Sequence, residues 1–114
     1  MEIAESTLQS TAIKFVVTEE GKIAGRAFLF LIKNDLHEFP YGLLEDVYIA
    51  EDERGKGIGT DLVKHVVEEA KKLKCYKVIA TSRFTRPKVH ELYERLGFTK
   101  HGFEFRMDFV SRET

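Results

Sequence analysis

The run Arg54-Gly55-Lys56-Gly57-Ile58-Gly59-Thr60 separates two segments of different periodicity. Before it comes Leu43-Leu44-Glu45-Asp46-Val47-Tyr48-Ile49, apolar and β-branched, which predicts a strand over 43–50. After it Ile58, Leu62, Val66, Ala70 and Leu73 recur at helical spacing, with Asp61, Lys64, Glu68, Lys71 and Lys72 on the other face, which predicts a helix over about 57–73. The run is therefore a glycine-rich turn from a strand into a helix. Glycines without a Cβ let a ligand approach the backbone closely, and the N–H groups that open a helix point one way with the positive end of its dipole behind them. Such a turn suits a phosphate or diphosphate. The plainer alternative is strain relief in a tight turn, but three glycines at alternate positions between Arg54 and Lys56 favour the anion.

Two familiar phosphate loops do not fit. A Walker loop needs Gly-Lys followed by Ser or Thr, and here Gly59 is followed directly by Thr60. A dinucleotide fingerprint needs Gly-x-Gly-x-x-Gly, whereas Gly55, Gly57 and Gly59 read Gly-x-Gly-x-Gly. Arg54-x-x-Gly57-x-Gly59 instead resembles the diphosphate-binding motif of the GNAT superfamily of acetyl-coenzyme A (acetyl-CoA) dependent N-acetyltransferases. Leu44 to Ile49 is similar to the preceding strand in small-molecule members such as the diamine and glucosamine-phosphate N-acetyltransferases. Leu73-Lys74-Cys75-Tyr76-Lys77-Val78 resembles the approach to the next strand of the latter, and Val89 to Phe98 resembles the family's last helix with its Tyr-x-x-x-Gly-Phe ending. These segments span about the last two-thirds of the chain.

Composition bounds the rest. A chain of 114 residues, 43% hydrophobic and 32% charged, is expected to form one soluble α/β domain over 11–114 behind a flexible N-terminus at 1–10. A net charge of -1 argues against nucleic acid, no apolar run is long enough to span a membrane, and no signal segment opens the chain, so a cytoplasmic protein is expected. The histidines His37, His65, His90 and His101 show no metal-ligand spacing, and no metal is expected. The one cysteine, Cys75, reads as a small, half-buried apolar residue.

Ahead of the central strand, Thr11–Thr18 and Ile23–Ile32 flank Glu19-Glu20-Gly21-Lys22 and predict a β-hairpin, and 33–42 reads as a loop. Behind the central helix come a strand over Lys77–Thr81, a loop over Ser82–Arg86, and a helix with Pro87 in its first turn, Gly97 at its end and Val89, Leu92, Tyr93 and Leu96 facing inward. Phe98, Phe103, Phe105, Met107 and Phe109 suggest a closing antiparallel hairpin. The order β-β-β-α-β-α-β-β gives an α+β fold, a mixed and largely antiparallel sheet with two helices. The family fold opens with a further strand and two helices, for which the residues before Thr11 are too few. The resemblance then implies that a second subunit completes the acceptor pocket, and a homodimer is expected.

The resemblance also implies the chemistry. An amine with a pKa near ~10.4 is neutral in about one molecule in a few thousand at pH 7, a handicap of roughly 4.6 kcal/mol, so a base is required. Glu45 and Asp46, adjacent on a strand, should point to opposite faces, and the family pattern gives the base to Glu45 and leaves Asp46 structural. Tyr93 matches the tyrosine that meets the departing sulfur, where a hydrogen bond is easier than full proton transfer, uphill by about 2 kcal/mol. Val47, Tyr48 and Ile49 would carry the pantetheine arm on backbone groups freed where two strands splay, and Arg54, Gly55, Lys56, Gly57, Ile58, Gly59 and Thr60 would hold the diphosphate. Arg86, where the family often has asparagine, adds a cation that could meet a cofactor phosphate, and His37, Glu38 and Tyr41 offer groups for the acceptor. The expected activity is direct transfer from acetyl-CoA to a small primary amine in a ternary complex. A protein or peptide amine as acceptor, or a coenzyme A binding module without activity, are the alternatives.

Overall fold

A computed structural model describes residues 1–111. The first ten residues are exposed and carry no regular structure. β1 (Thr11–Glu19) and β2 (Lys22–Ile32) form the expected hairpin, with Glu19 opposite Lys22. Its loop is Glu20-Gly21, both at positive φ (51° and 79°). That is the type I′ turn whose twist matches its strands. β3 (Tyr41–Ile49) lies antiparallel to β2, and the short β4 (Val78–Ala80) lies parallel to β3, giving the order β1-β2-β3-β4. A 3-10 turn at Glu51–Glu53 leads from β3 to the glycine run, α1 (Ile58–Lys72) crosses to β4, and α2 (Pro87–Arg95) follows.

One face of the sheet holds the core. α1 lays Leu62, Val63, Val66 and Ala70 against Ala27 and Leu29 of β2 and Leu44 of β3. Burying side chains the size of Leu29 or Val66 stabilises the fold by about 1.5–3 kcal/mol each. Tyr93 of α2 is the last member of that buried cluster, with Val89, Leu92 and Leu96 packed around it.

Both helices end in the same hydrogen-bond pattern. In α2 the Phe98 N–H donates to the Tyr93 carbonyl (3.0 Å) and the Gly97 N–H to the Glu94 carbonyl (3.1 Å), with Gly97 at φ 101° and the Tyr93 and Phe98 rings 5.4 Å apart. This is a Schellman cap with its hydrophobic contact. The Tyr-x-x-x-Gly-Phe spacing is thus the spacing of a helix stop that fixes the backbone beneath Tyr93. α1 repeats it with Cys75 N–H on Ala70 (3.0 Å) and Lys74 N–H on Lys71 (3.0 Å), but here a lysine, Lys74, takes the left-handed position at φ 63°.

The mixed sheet and two helices are as expected, but no closing hairpin forms among the described residues. Residues 99–108 contain no strand, and Phe103, Phe105, Met107 and Phe109 are all largely exposed. Alternation favours extended backbone without supplying a partner. The sheet's free edge at β4 is three residues long, and a short two-stranded hairpin is marginal without a surface to pack on.

Candidate active site

β3 and β4 pair only at Gly42↔Val78, Leu43↔Ile79 and Leu44↔Ala80. β4 ends at Ala80, and the β3 edge from Glu45 to Ile49 that faces away from β2 has no ladder partner among the described residues. On its other edge β3 departs from regular pairing too. Arg26 pairs with Tyr48 and Phe28 with Glu45, so β3 carries one residue more than β2 across this step, and Asp46 stands there at φ 52°. The extra residue is a β-bulge, and it reverses the alternation. Gly42 and Leu44 face the core before it, Val47 and Ile49 after it.

That reversal corrects the expectation that Glu45 and Asp46 point to opposite faces. Both line one groove of about 310 Å³ with Ser10, Phe30, Ile32 and Leu43. Burial, together with the charges of Asp46 and Glu104, raises the Glu45 carboxyl above the ordinary carboxylate value. Tyr93, inside the core, is also raised, first by burial and then by the charge of Glu45. The charge of the carboxylate thus reaches the phenol, the one being a readier base than a solvated glutamate and the other a neutral O–H donor.

The glycine turn stands at the end of the same strand. Gly57 caps α1 at φ 82° with no side-chain acceptor on the helix start, and Gly55 adopts φ 83°. A Cβ at Gly55 or Gly57 would meet no atom within 4 Å, so backbone conformation requires glycine there and the space around it is open. Gly59 has ordinary helical φ, and a Cβ there would meet Ile49 at 3.5 Å. The first helical bond runs from the Asp61 N–H to the Gly57 carbonyl (3.1 Å), which leaves the N–H groups of Ile58, Gly59 and Thr60 ahead of it without helical partners. A diphosphate fits this set of donors.

The flanking cations are already engaged within the chain. Arg54 donates Nε–H to the Ile49 carbonyl (2.9 Å), and its guanidinium lies 6.0 Å from the Tyr48 ring, which Arg26 approaches at 5.0 Å. Lys56 pairs with Glu53 at 2.9 Å, and that hydrogen bond is the main reason its ammonium is held above the usual value. A side chain missed by the sequence reading is Arg95, whose Nη2 donates to Thr60 Oγ1 (3.4 Å) and ties α2 to the first turn of α1. The two are 35 positions apart, and no local pattern links them. Arg86 sits at the N-cap of α2, exposed, with its carbonyl accepting from the Val89 and His90 N–H groups.

The 33–42 loop lies at the opposite end of β3 from the glycine turn, where His37 stacks on Tyr76 (4.3 Å) and Lys77 lies over Tyr41 and Tyr76 (5.0 and 5.4 Å). These residues clamp the starts of β3 and β4 together, about 13 Å of strand from Glu45. Cys75 is half buried against the core, and burial pushes its thiol up, away from nucleophilic thiolate.

Residues 3–98 match the acetyltransferase (GNAT) family. Among curated proteins, a glucosamine 6-phosphate N-acetyltransferase of Candida albicans is 33% identical over 87% of this chain and 66% of its own length. Among solved structures, a putative acetyltransferase of Agrobacterium tumefaciens superposes with a TM-score of 0.74 at 37% identity, covering 84% of this chain and 69% of that one. The glucosamine-6-phosphate N-acetyltransferase of Arabidopsis thaliana gives 0.77 at 29% identity, covering 87% and 67%. The chain spans less than two-thirds of the length of the curated relatives it matches.

Proposed function

Because this chain belongs to the acetyltransferase (GNAT) family, we propose that it is an N-acetyltransferase that moves the acetyl group of acetyl-CoA to a primary amine of a small molecule, directly and within a ternary complex. The observation that carries the reading is the junction of two features on one strand. A glycine turn with uncapped helix N–H groups ends β3, and the β3 edge leading to it is open from Glu45 onward. The N–H groups of Ile58, Gly59 and Thr60, with Gly55 and Gly57 holding the bend, are assigned to the diphosphate. Arg54 braces the bend through Ile49, Lys56 supplies positive charge within the turn, and Arg86, at the N-cap of α2, is assigned to a cofactor phosphate. The backbone edge of Val47, Tyr48 and Ile49, where Arg54 already takes the Ile49 carbonyl, is assigned to the pantetheine amides. Acetyl-CoA supplies an activated thioester when bound.

Glu45 takes the ammonium proton, which frees the nitrogen lone pair for attack. Tyr93 donates a hydrogen bond to the sulfur as negative charge develops there, and its raised pKa keeps the donor proton in place. Holding the two reactants at the gap between β3 and β4 contributes more than either side chain, about 7–11 kcal/mol for well-oriented partners. Cys75, half buried with a raised pKa, is not used as an acyl carrier. Support for a small acceptor comes from the curated relatives, named as glucosamine 6-phosphate N-acetyltransferases. The exposed apolar row Phe103, Phe105, Met107 and Phe109 supports a homodimeric working form, for which light scattering should give twice the chain mass.

Calorimetry with acetyl-CoA and a free-thiol assay over an amine panel test the proposal. Binding followed by amine-dependent thiol release is expected. Binding without release for any amine would leave a coenzyme A binding module, and acetylation confined to polypeptides would make the acceptor a protein.

A further inference from the structure

We propose that the groove beside Glu45, walled by Phe30, Ile32 and Leu43, receives the apolar frame of the acceptor, which makes the acceptor an aryl- or alkylamine in preference to a phosphorylated amino sugar. The proposal rests on the transfer reading above and gives its site a substrate class.

The groove lies on the face of the sheet opposite α1, with Glu45 in its lining. Its volume of about 310 Å³ falls at the lower end of small-ligand sites. Three of its six lining residues are apolar, Ser10 brings a hydroxyl, and the only charges are the carboxylates of Glu45 and Asp46. Neither carboxylate forms an ion pair among the described residues. Of the nearest cations, Arg26 donates Nη1–H to the Asp46 backbone carbonyl (3.4 Å) and lies over Tyr48 (5.0 Å), which leaves the Asp46 carboxylate unpaired, and Lys14 lies over Phe28 (5.7 Å).

Charge complementarity follows from that lining. An ammonium entering the groove meets two unpaired carboxylates, one of which is the proposed base. A phosphate carried on the same molecule would find no cation in the lining and would face Glu45, Asp46 and the added negative charge of Glu104, a repulsive selection against it. Phe30, stacked against Phe28 at 6.3 Å, offers a flat wall for an aryl frame. Once Glu45 has taken the proton, the neutral amine is left among apolar walls, where it is better accommodated than the cation it came from.

The test compares 2-phenylethylamine, hexylamine, glucosamine and glucosamine 6-phosphate as acceptors with the full chain and acetyl-CoA. The expected result is a kcat/KM for the two apolar amines at least roughly tenfold above that for the sugars. Phe30→Ala and, independently, Leu43→Arg should each remove that preference by roughly tenfold while leaving acetyl-CoA binding unchanged. Glucosamine 6-phosphate as the better acceptor, or variants that affect every amine equally, would overturn the assignment. Direct calorimetric titration of 2-phenylethylamine separates this from failure of the transfer reading. Binding that Leu43→Arg abolishes supports the groove even if no thiol is released. No binding by protein that does bind acetyl-CoA refutes the groove alone.

Discussion

Glu45 is held in a fold that disfavours its charge, and this fixes the sign of two measurements. Burial, then Asp46, then Glu104 raise its pKa, so the folded protein keeps the proton to higher pH than the unfolded chain does. The linked stability is present at acid pH and is lost as pH rises through the folded value. Glu45→Gln should therefore melt at a higher temperature than the wild type at neutral pH, and the difference should vanish below about pH 4, where both states are protonated. In kinetics the same substitution should lower kcat by roughly 10²–10⁴ with acetyl-CoA affinity retained, and should remove an acid limb lying above the ordinary carboxylate range of ~4.3. A variant that keeps wild-type turnover would remove Glu45 from the mechanism. Tyr93→Phe separates the phenol from the ring. The cap bonds at Tyr93 are made by its backbone and the contact with Phe98 by its ring, so the helix stop should survive while turnover falls by roughly tenfold or more.

At the level of elements, the two Schellman caps make a matched pair with different residues at the critical position. Gly97 adopts φ 101° without a Cβ, whereas Lys74 adopts φ 63° with one. A left-handed conformation at a non-glycine residue costs roughly 1–2 kcal/mol. Lys74→Gly should relieve part of that and stabilise the protein by about 1 kcal/mol, a rise of about 4 °C in Tm, with kinetics unchanged because the cap lies at the opposite end of α1 from the glycine turn. Gly97→Ala should cost about the same amount and also disturb turnover, since the α2 cap sets the backbone beneath Tyr93. Thermal melts and steady-state rates on the two variants check both halves, and a destabilised Lys74→Gly protein would show that its contact over Phe39 matters more than the strain.

Over the whole molecule, what could be read from the sequence was local. The helical stripe of α1, the hairpin at Glu20-Gly21 and the glycine turn each carry their signal in a few consecutive residues. The Asp46 bulge does not. It depends on how β2 pairs with β3, and it turned two carboxylates assigned to opposite faces into neighbours on one groove. Arg95 on Thr60 and the lack of a strand over 99–111 are likewise decided by partners distant in sequence. The same long-range construction predicts how the molecule responds to its ligand. β4 adds only three residues to the sheet, and the β3 edge from Glu45 to Ile49 has no ladder partner there among the described residues. A ligand that bridges that edge and the α1 N-terminus joins parts that the chain connects weakly. At a concentration of 100 times its Kd, binding to the folded state alone contributes about 2.7 kcal/mol. For a domain of this size that is a rise of about 10 °C in Tm. Acetyl-CoA should produce it, and Gly57→Val, which puts a branched side chain at a left-handed N-cap, should abolish the shift beyond its own cost to stability. A full shift in that variant would mean that the diphosphate is held somewhere other than the start of α1.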